Sequence, residues 1–221
     1  MELTPRLKKI SELIPKGSVV ADIGTDHAYL PTYCLLSGIS PRAFAMDVNQ
    51  GPLDRARDTV DKYGVADRVE LRLSDGIAGL SRGEADVIVI AGMGGLLIQN
   101  ILSAHPDVLK EGTLLILQPM LAQKELREYL YSSGNAVTDE YLAVEGNKVY
   151  NIILARAGLK YTPTPEDITI GRNIRRNSPE CFDAYRDKHT GILNKIISGY
   201  KKSSNDDTDK ILSLERELKM W

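Results

Sequence analysis

An α/β fold is predicted for this chain: a mostly parallel sheet wrapped by helices, closed by an antiparallel edge, with a helical appendage at the C-terminal end. Three observations predict it. Short apolar runs alternate with longer segments of helical periodicity over residues 1–160. The first runs end on acidic or glycine-rich turns, as strands feeding helical crossovers do. The last two runs are separated only by Glu145-Gly-Asn-Lys148, a spacing that joins antiparallel neighbours.

Residues 18–21 are too few for a helix and read as the first strand. The turn after it, Asp22-Ile-Gly-Thr-Asp-His-Ala-Tyr-Leu-Pro31, leads into a helix with apolar Tyr29, Cys34, Leu35 and Leu36. A dinucleotide-binding turn, G-x-G-x-x-G, needs further glycines so that backbone can approach a pyrophosphate. Here Gly24 stands alone and Asp26 takes the next glycine place. A carboxylate there repels a pyrophosphate, so this turn suits a ligand with positive charge or none. S-adenosylmethionine fits, because its sulfonium is cationic and its nucleoside carries no phosphate.

Residues 43–46 form the second strand, which ends on Asp47, and residues 51–63 have the spacing of an exposed helix. Residues 69–73 alternate with period two and meet Ser74-Asp-Gly76. Residues 85–90 read as a buried strand ending in Ala91-Gly-Met-Gly-Gly95, with a helix over 96–109. Residues 112–118 are the fifth strand, stopped by Pro119, and 123–132 the next helix. Residues 135–144 and 149–155 pair as the closing hairpin. This is the Rossmann-like layout of class I methyltransferases rather than of a pure dinucleotide domain.

Pro163-Thr-Pro165 punctuates the end of the body, so two units are expected, 1–160 and 161–221. In the second, Phe182, Tyr185, His189, Ile192 and Ile196 recur at spacings of 3, 4, 3 and 4, an apolar seam of coiled-coil type. Ser203-Ser-Asn-Asp-Asp-Thr-Asp209 breaks that helix and offers N-cap residues. Ile211, Leu214, Leu218 and Trp221 then continue at 3, 4 and 3. Two seams joined by a short polar loop make an antiparallel helical hairpin.

With 221 residues, 43% hydrophobic and 26% charged, the chain has enough apolar surface for a full core without staples. Cys34 and Cys181 match neither a disulfide framework nor a zinc spacing, which suits a reducing compartment. The N-terminal residues lack an apolar signal core and no run approaches the length of a membrane span. A cytoplasmic monomer that binds no membrane and no metal is the expectation. Charge is uneven: residues 159–221 carry 12 Lys and Arg against 10 acids, and residues 1–158 carry 16 against 20. The basic residues cluster around Arg172, Arg175 and Arg176, and again at Lys201-Lys202, a pattern that a solvated helix face also explains.

Ligands of an open parallel sheet bind outside the carboxyl ends of its strands. Asp22, Gly24, Asp26 and His27 stand at the first such end, Asp47 at the second, Asp75-Gly76 at the third and Gly92-Met93-Gly94-Gly95 at the fourth. Asp47 can accept from both hydroxyls of a ribose. Asp75 can accept from an adenine amine while Gly76 lets backbone close over the ring. Each acid alone could equally cap a helix or turn, but capping does not require acids at successive strand ends.

The Asp22–Pro31 decapeptide, Ala91-Gly-Met-Gly-Gly95, Leu117-Gln-Pro119 and the Lys148-Val-Tyr150 edge resemble the bacterial tRNA adenine-22 methyltransferases known as the TrmK family. The resemblance covers the whole chain. It implies methyl transfer from S-adenosylmethionine to ring nitrogen 1 of an adenosine in the tRNA D-arm. No Asn/Asp-Pro-Pro-Tyr follows the fourth strand, the tetrapeptide with which amine-directed adenine methyltransferases hold the exocyclic nitrogen, and that agrees with attack at the ring. Ring nitrogen 1 has its own lone pair and needs no prior deprotonation. The cation it becomes later loses a proton from the exocyclic amine.

Asp26, beside the expected sulfonium, is the candidate catalytic carboxylate; its plainer role is to cap the helix that starts near Ala28. His27 could orient cofactor or base, and three histidines without a metal-spaced partner give no zinc site. For the RNA, the candidates are Arg6 on a phosphate, Tyr29 and Tyr150 as stacking rings, Gly95, Gln118 and Pro119 around the base, and Arg172, Arg175 and Arg176 on the hairpin. At this level two rivals stay open: a nicotinamide-dependent oxidoreductase on the same sheet, and a non-catalytic tRNA-binding module.

Overall fold

The computed structural model describes residues 1–202 and 207–221. Its elements are α1 (Pro5–Glu12), β1 (Val20–Ile23), α2 (Tyr29–Leu36), β2 (Ala43–Asp47), α3 (Gln50–Lys62), β3 (Val69–Leu73), β4 (Val87–Met93) and α4 (Gly95–Ala104). A 3-10 turn (Pro106–Val108), β5 (Leu114–Pro119), α5 (Gln123–Ser132), β6 (Val137–Glu145) and β7 (Lys148–Arg156) complete the body. Then come α6 (Pro165–Thr169), α7 (Ile174–Asn177), α8 (Pro179–Lys202) and α9 (Thr208–Leu218).

One seven-stranded sheet runs in the order β3-β2-β1-β4-β5-β7-β6. Pairing is parallel from β3 to β5 and antiparallel at β5–β7 and β7–β6, so the expected mixed sheet is observed. Chain order reverses between β1 and β4, and that switch opens a crevice at their carboxyl ends. The central strands are covered on both faces, which is why they read as continuous apolar runs. Ile23, Met46, Ile90 and Leu117 face α4 and α5, while Val20, Val89 and Ile116 face α1 and α2.

Some boundaries move, with identifiable causes. β1 spans Val20–Ile23, so Asp22 lies inside the strand, in register with Ala45 of β2 and Val89 of β4. β4 continues to Met93 through a register shift at Ala91/Met93, where Gly92 takes φ +80°. The helix expected over 96–109 stops at Ala104, because Pro106 cannot continue it and opens a 3-10 turn instead.

The seam of α8 is corrected by one residue in its second half. Phe182, Tyr185, Leu193 and Ile197 are buried, whereas Ile192 and Ile196 are 47% and 42% exposed. A 3.6-residue helix drifts past a strict heptad over 24 residues, so the buried stripe advances. α9 packs back along α8: Lys201 reaches Glu215 at 2.7 Å near the turn, and Tyr185 meets Trp221 edge-on at the far end. Of the expected helix break, residues 203–206 lie outside the described ones. Asp207 occupies the N-cap position of α9 without a side-chain cap hydrogen bond.

Body and tail share a core. Leu142 of β6 packs with Ile170, Ile174, Phe182 and Tyr185, and Ser178 Oγ accepts from the Leu142 amide at 2.9 Å. Among the described residues no helix is long and apolar enough to cross a membrane.

Candidate active site

A cavity of about 400 Å³ lies at the carboxyl ends of β1 and β4, walled by Arg6 and Leu7 of α1, the Asp22–Leu30 turn, and Ala91 and Gly92. Asp22 is its floor. The carboxylate is 8% exposed and accepts from Thr25 Oγ1 at 2.6 Å. Burial pushes its carboxyl up to about 6, against the Thr25 hydrogen bond and the field of Arg6. A buried carboxylate with no ion-pair partner among the described residues can receive a cation. Beneath it, burial and the Asp22 charge push the Cys34 thiol up to about 12, so that sulfur is inert packing.

The turn is held in an unusual backbone. Gly24, Asp26 and Ala28 take φ of +73°, +48° and +51°, the left-handed region that costs non-glycine residues about 1 kcal/mol or more. At φ +73° a side chain at position 24 would be strained, and its Cβ would also lie 2.2 Å from Met93 Cε, which would have to move aside. Asp26 does not cap α2: Ala28 holds the N-cap position and receives no side-chain bond. Instead Asp26 Oδ1 accepts from Arg55 Nη2 of α3, and Oδ2 lies 3.6 Å from His27 Nε2. The His27 and Tyr29 rings stack in parallel, 5.0 Å between centroids. Both rings also wall a second cavity of about 560 Å³ with Arg55, Asp58, Lys62 and Tyr63.

On the other side of the switch, Gln118 is buried and its Oε1 accepts from Arg6 Nη1 at 2.8 Å and from the Gly92 amide at 3.1 Å. The Arg6 guanidinium lies 5.5 Å over the Tyr150 ring. Four sequence candidates from four different elements thus meet at one edge of the cavity. Pro119 ends β5 opposite Met93. Gly94 holds the N-cap position of α4, and the Gly95 amide donates to Leu121 O at 2.8 Å. A Cβ on Gly95 would sit 2.3 Å from Ala122 O, so this glycine locks the loop after β5 onto the start of α4.

Asp47 and Asp75 lie farther along the same row of strand ends, outside that cavity. Asp47 Oδ1 accepts from the Asn49 amide at 2.9 Å, which leaves Oδ2 open. Asp75 is exposed beyond β3. Gly76, at φ +55°, would place a Cβ 2.7 Å from Ile101 of α4, so packing by α4 already demands glycine there.

The three tail arginines precede the hairpin rather than ride on it. Arg172 donates to Val137 O at 2.9 Å and lies over the Tyr161 ring. Arg175 donates to Met220 O at 3.2 Å, and Arg176 reaches Asp139 at 3.3 Å. Arg55 and Thr25 are the residues sequence reading missed. Thr25 was visible as a small polar residue in the turn. Arg55 carried no signal, because only the packing of α3 beside α2 brings it to Asp26.

Comparison with known proteins decides among the readings of this crevice. Residues 3–153 match a family model described as a methyltransferase domain. The tRNA (adenine(22)-N(1))-methyltransferase of Bacillus subtilis is 42% identical over 158 residues, 72% of this chain and 66% of that relative's length. The crystal structure of the B. subtilis m1A22 tRNA methyltransferase TrmK superposes with a TM-score of 0.82 at 32% identity, covering 99% of this chain and 97% of that one. The chain belongs to the TrmK family. A second TrmK structure, from M. capricolum in complex with S-adenosyl-homocysteine, aligns with a TM-score of 0.83 at 25% identity over 100% of this chain and 96% of its own. The TrmK likeness therefore includes the tail as well as the sheet.

Proposed function

We infer that this chain is a tRNA methyltransferase that uses S-adenosylmethionine to methylate ring nitrogen 1 of adenosine 22 in the D-arm. The relatives' names support the reaction, and the S-adenosyl-homocysteine complex of the M. capricolum relative supports the cofactor. The observation that carries the reading on this chain is Asp22, a buried carboxylate lacking a cationic partner at a turn where only one glycine is spared for a phosphate. A dinucleotide pyrophosphate would face both Asp22 and Asp26, which sets the oxidoreductase reading aside. A site built this fully at the strand ends also goes beyond what a bare RNA-binding module needs.

The residues fit the cofactor. Asp22 would hold its cationic amino acid end, Gly24 and Gly92 would pass their backbone close to it, and Asp47 Oδ2 would accept from the ribose. Asp75 would take the adenine amine, with His27 and Met93 lining the path between. When bound, S-adenosylmethionine supplies an electrophilic methyl group whose C–S bonding electrons stay on sulfur. Asp26 would then stabilise the positive charge that grows on the target adenine and accept the exocyclic proton at Oδ2. Pre-placed charge of this kind is worth roughly 10²–10³ in rate. Arg6, Gln118, Pro119, Tyr29 and Tyr150 would line the entry for the base, Gln118 through its amide and the tyrosines through their ring faces.

A tRNA-modifying enzyme of a bacterial family works where tRNA is, in the cytoplasm. The test is direct: incubate the protein with unmodified tRNA and S-adenosylmethionine, and map the product by mass spectrometry. 1-Methyladenosine at position 22 is expected. A methyl on the exocyclic amine, or at another nucleotide, would overturn the assignment.

A further inference from the structure

We propose that Arg55 is a positioning residue, which sets the Asp26 carboxylate in its working orientation from a neighbouring helix. This rests on the catalytic reading of Asp26 given above. Asp26 sits in a left-handed backbone conformation, and its side chain takes no part in capping α2. Left alone, such a carboxylate in an exposed turn would sample several rotamers. Arg55 restricts it: Nη2 is hydrogen-bonded to Oδ1, which turns Oδ2 toward His27, 3.6 Å away. His27 is itself fixed by parallel stacking on Tyr29.

The approach of Arg55 is prepared by the start of α3. Gly51 lies one turn earlier, and a Cβ built on it would be 3.8 Å from Arg55 Nη1, so the guanidinium folds back over this position toward the turn. Both partners are about half exposed, and an exposed pair of this kind contributes little to stability. Covering by RNA would remove that screening and strengthen the pair at the moment of reaction. The role of Arg55 is therefore visible in turnover and nearly silent in folding.

Truncation of Arg55 opens onto the 560 Å³ cavity it lines, so a small cation from solvent can reach Asp26. Four proteins test the proposal in single-turnover methylation of tRNA: wild type, Arg55→Ala, Asp26→Asn and the double variant. Arg55→Ala should lose roughly 10- to 100-fold in rate at saturating tRNA, the scale of a displaced catalytic group, with S-adenosylmethionine affinity by calorimetry unchanged. Guanidinium ion below denaturing concentration should restore part of that rate, and Arg55→Lys should fall between. The double variant should be no slower than Asp26→Asn alone, since Arg55 acts through Asp26. A native rate for Arg55→Ala beside a slow Asp26→Asn overturns the proposal and leaves Asp26 catalytic. Equal losses in both backgrounds also overturn it, because Arg55 would then act independently. A native rate for Asp26→Asn removes the underlying reading and the proposal with it.

Discussion

Arg127 of α5 and Glu140 of β6 form a salt bridge at 2.8 Å with both side chains at most 1% exposed. The other guanidinium hydrogens reach the carbonyls of Ile168, Thr169 and Ile170 and the Tyr185 hydroxyl. One ion pair of the body is therefore completed by the tail. Removing one partner of such a pair costs about 3–5 kcal/mol, whereas replacing both by apolar groups is often neutral. Arg127→Leu should lower the unfolding free energy in urea by that scale, and Arg127→Leu/Glu140→Leu should recover most of it. For the same reason a body cut after Pro165 should be much less stable than the full chain, which leaves the pair without its carbonyl partners. A truncated body as stable as the whole protein in urea would disprove the coupling.

If Asp22 holds the cofactor's cationic end, stability and cofactor binding should respond to pH in opposite directions. Its folded carboxyl titrates near 6 against 3.8 as the ordinary value, so the folded state holds a proton that the unfolded chain has lost between those values. This contribution to stability is fully present below about pH 4 and is lost as pH rises through 6. The difference of about two units corresponds to about 3 kcal/mol. Asp22→Asn should therefore melt higher than wild type above pH 7, with the gap closing toward pH 4. On the proposed role of Asp22, S-adenosylmethionine would bind the ionised carboxylate, so wild-type affinity should rise up to tenfold per pH unit below 6 and level off above. A flat affinity from pH 5 to 8 would detach Asp22 from the cofactor.

Asp47 offers a simpler test. Its Oδ1 is spent on the Asn49 amide, and on the proposed reading Oδ2 would accept from the ribose. Asp47→Ala should weaken S-adenosylmethionine by about 1.5–3 kcal/mol, the scale of hydrogen bonds to a charged group. Equal affinity of the two proteins in calorimetry would take Asp47 out of the site.

What could be read from sequence followed the range of the forces involved. The order of strands and helices was legible because burial of β1, β2, β4 and β5 on both faces writes continuous apolar runs. The acids at strand ends were legible because the crossover geometry places them there. The meeting of Arg6, Gln118 and Tyr150 was readable only as separate candidates, since residues 112 apart in sequence carry no local signal of contact. Arg55 was hidden for the same reason, and the second half of the α8 seam because a heptad template fits a straight helix only briefly. The tail arginines were misplaced because composition shows that charge clusters but not which carbonyls and rings absorb it.

That last correction moves the expected RNA contact. Arg172 and Arg175 are bound to main-chain carbonyls and stacked on rings, and losing either would disturb packing before it touched a phosphate. Among the tail cations with no ion-pair partner among the described residues, Lys188, Lys195 and Lys202 form a row. They recur every seven residues along the solvent side of α8, roughly 10 Å apart at 1.5 Å per residue, and none has an ion-pair partner among the described residues. If each neutralises one phosphate, they should contribute roughly 2–3 to the log–log dependence of tRNA affinity on salt. Replacing all three by alanine should flatten the slope by that amount and weaken tRNA binding, while S-adenosylmethionine affinity and the melting temperature stay near wild type. A triple variant that binds tRNA with the wild-type slope would place the RNA away from this face of α8, and the exposed Arg176 together with the lysines of the body would then be the next to replace.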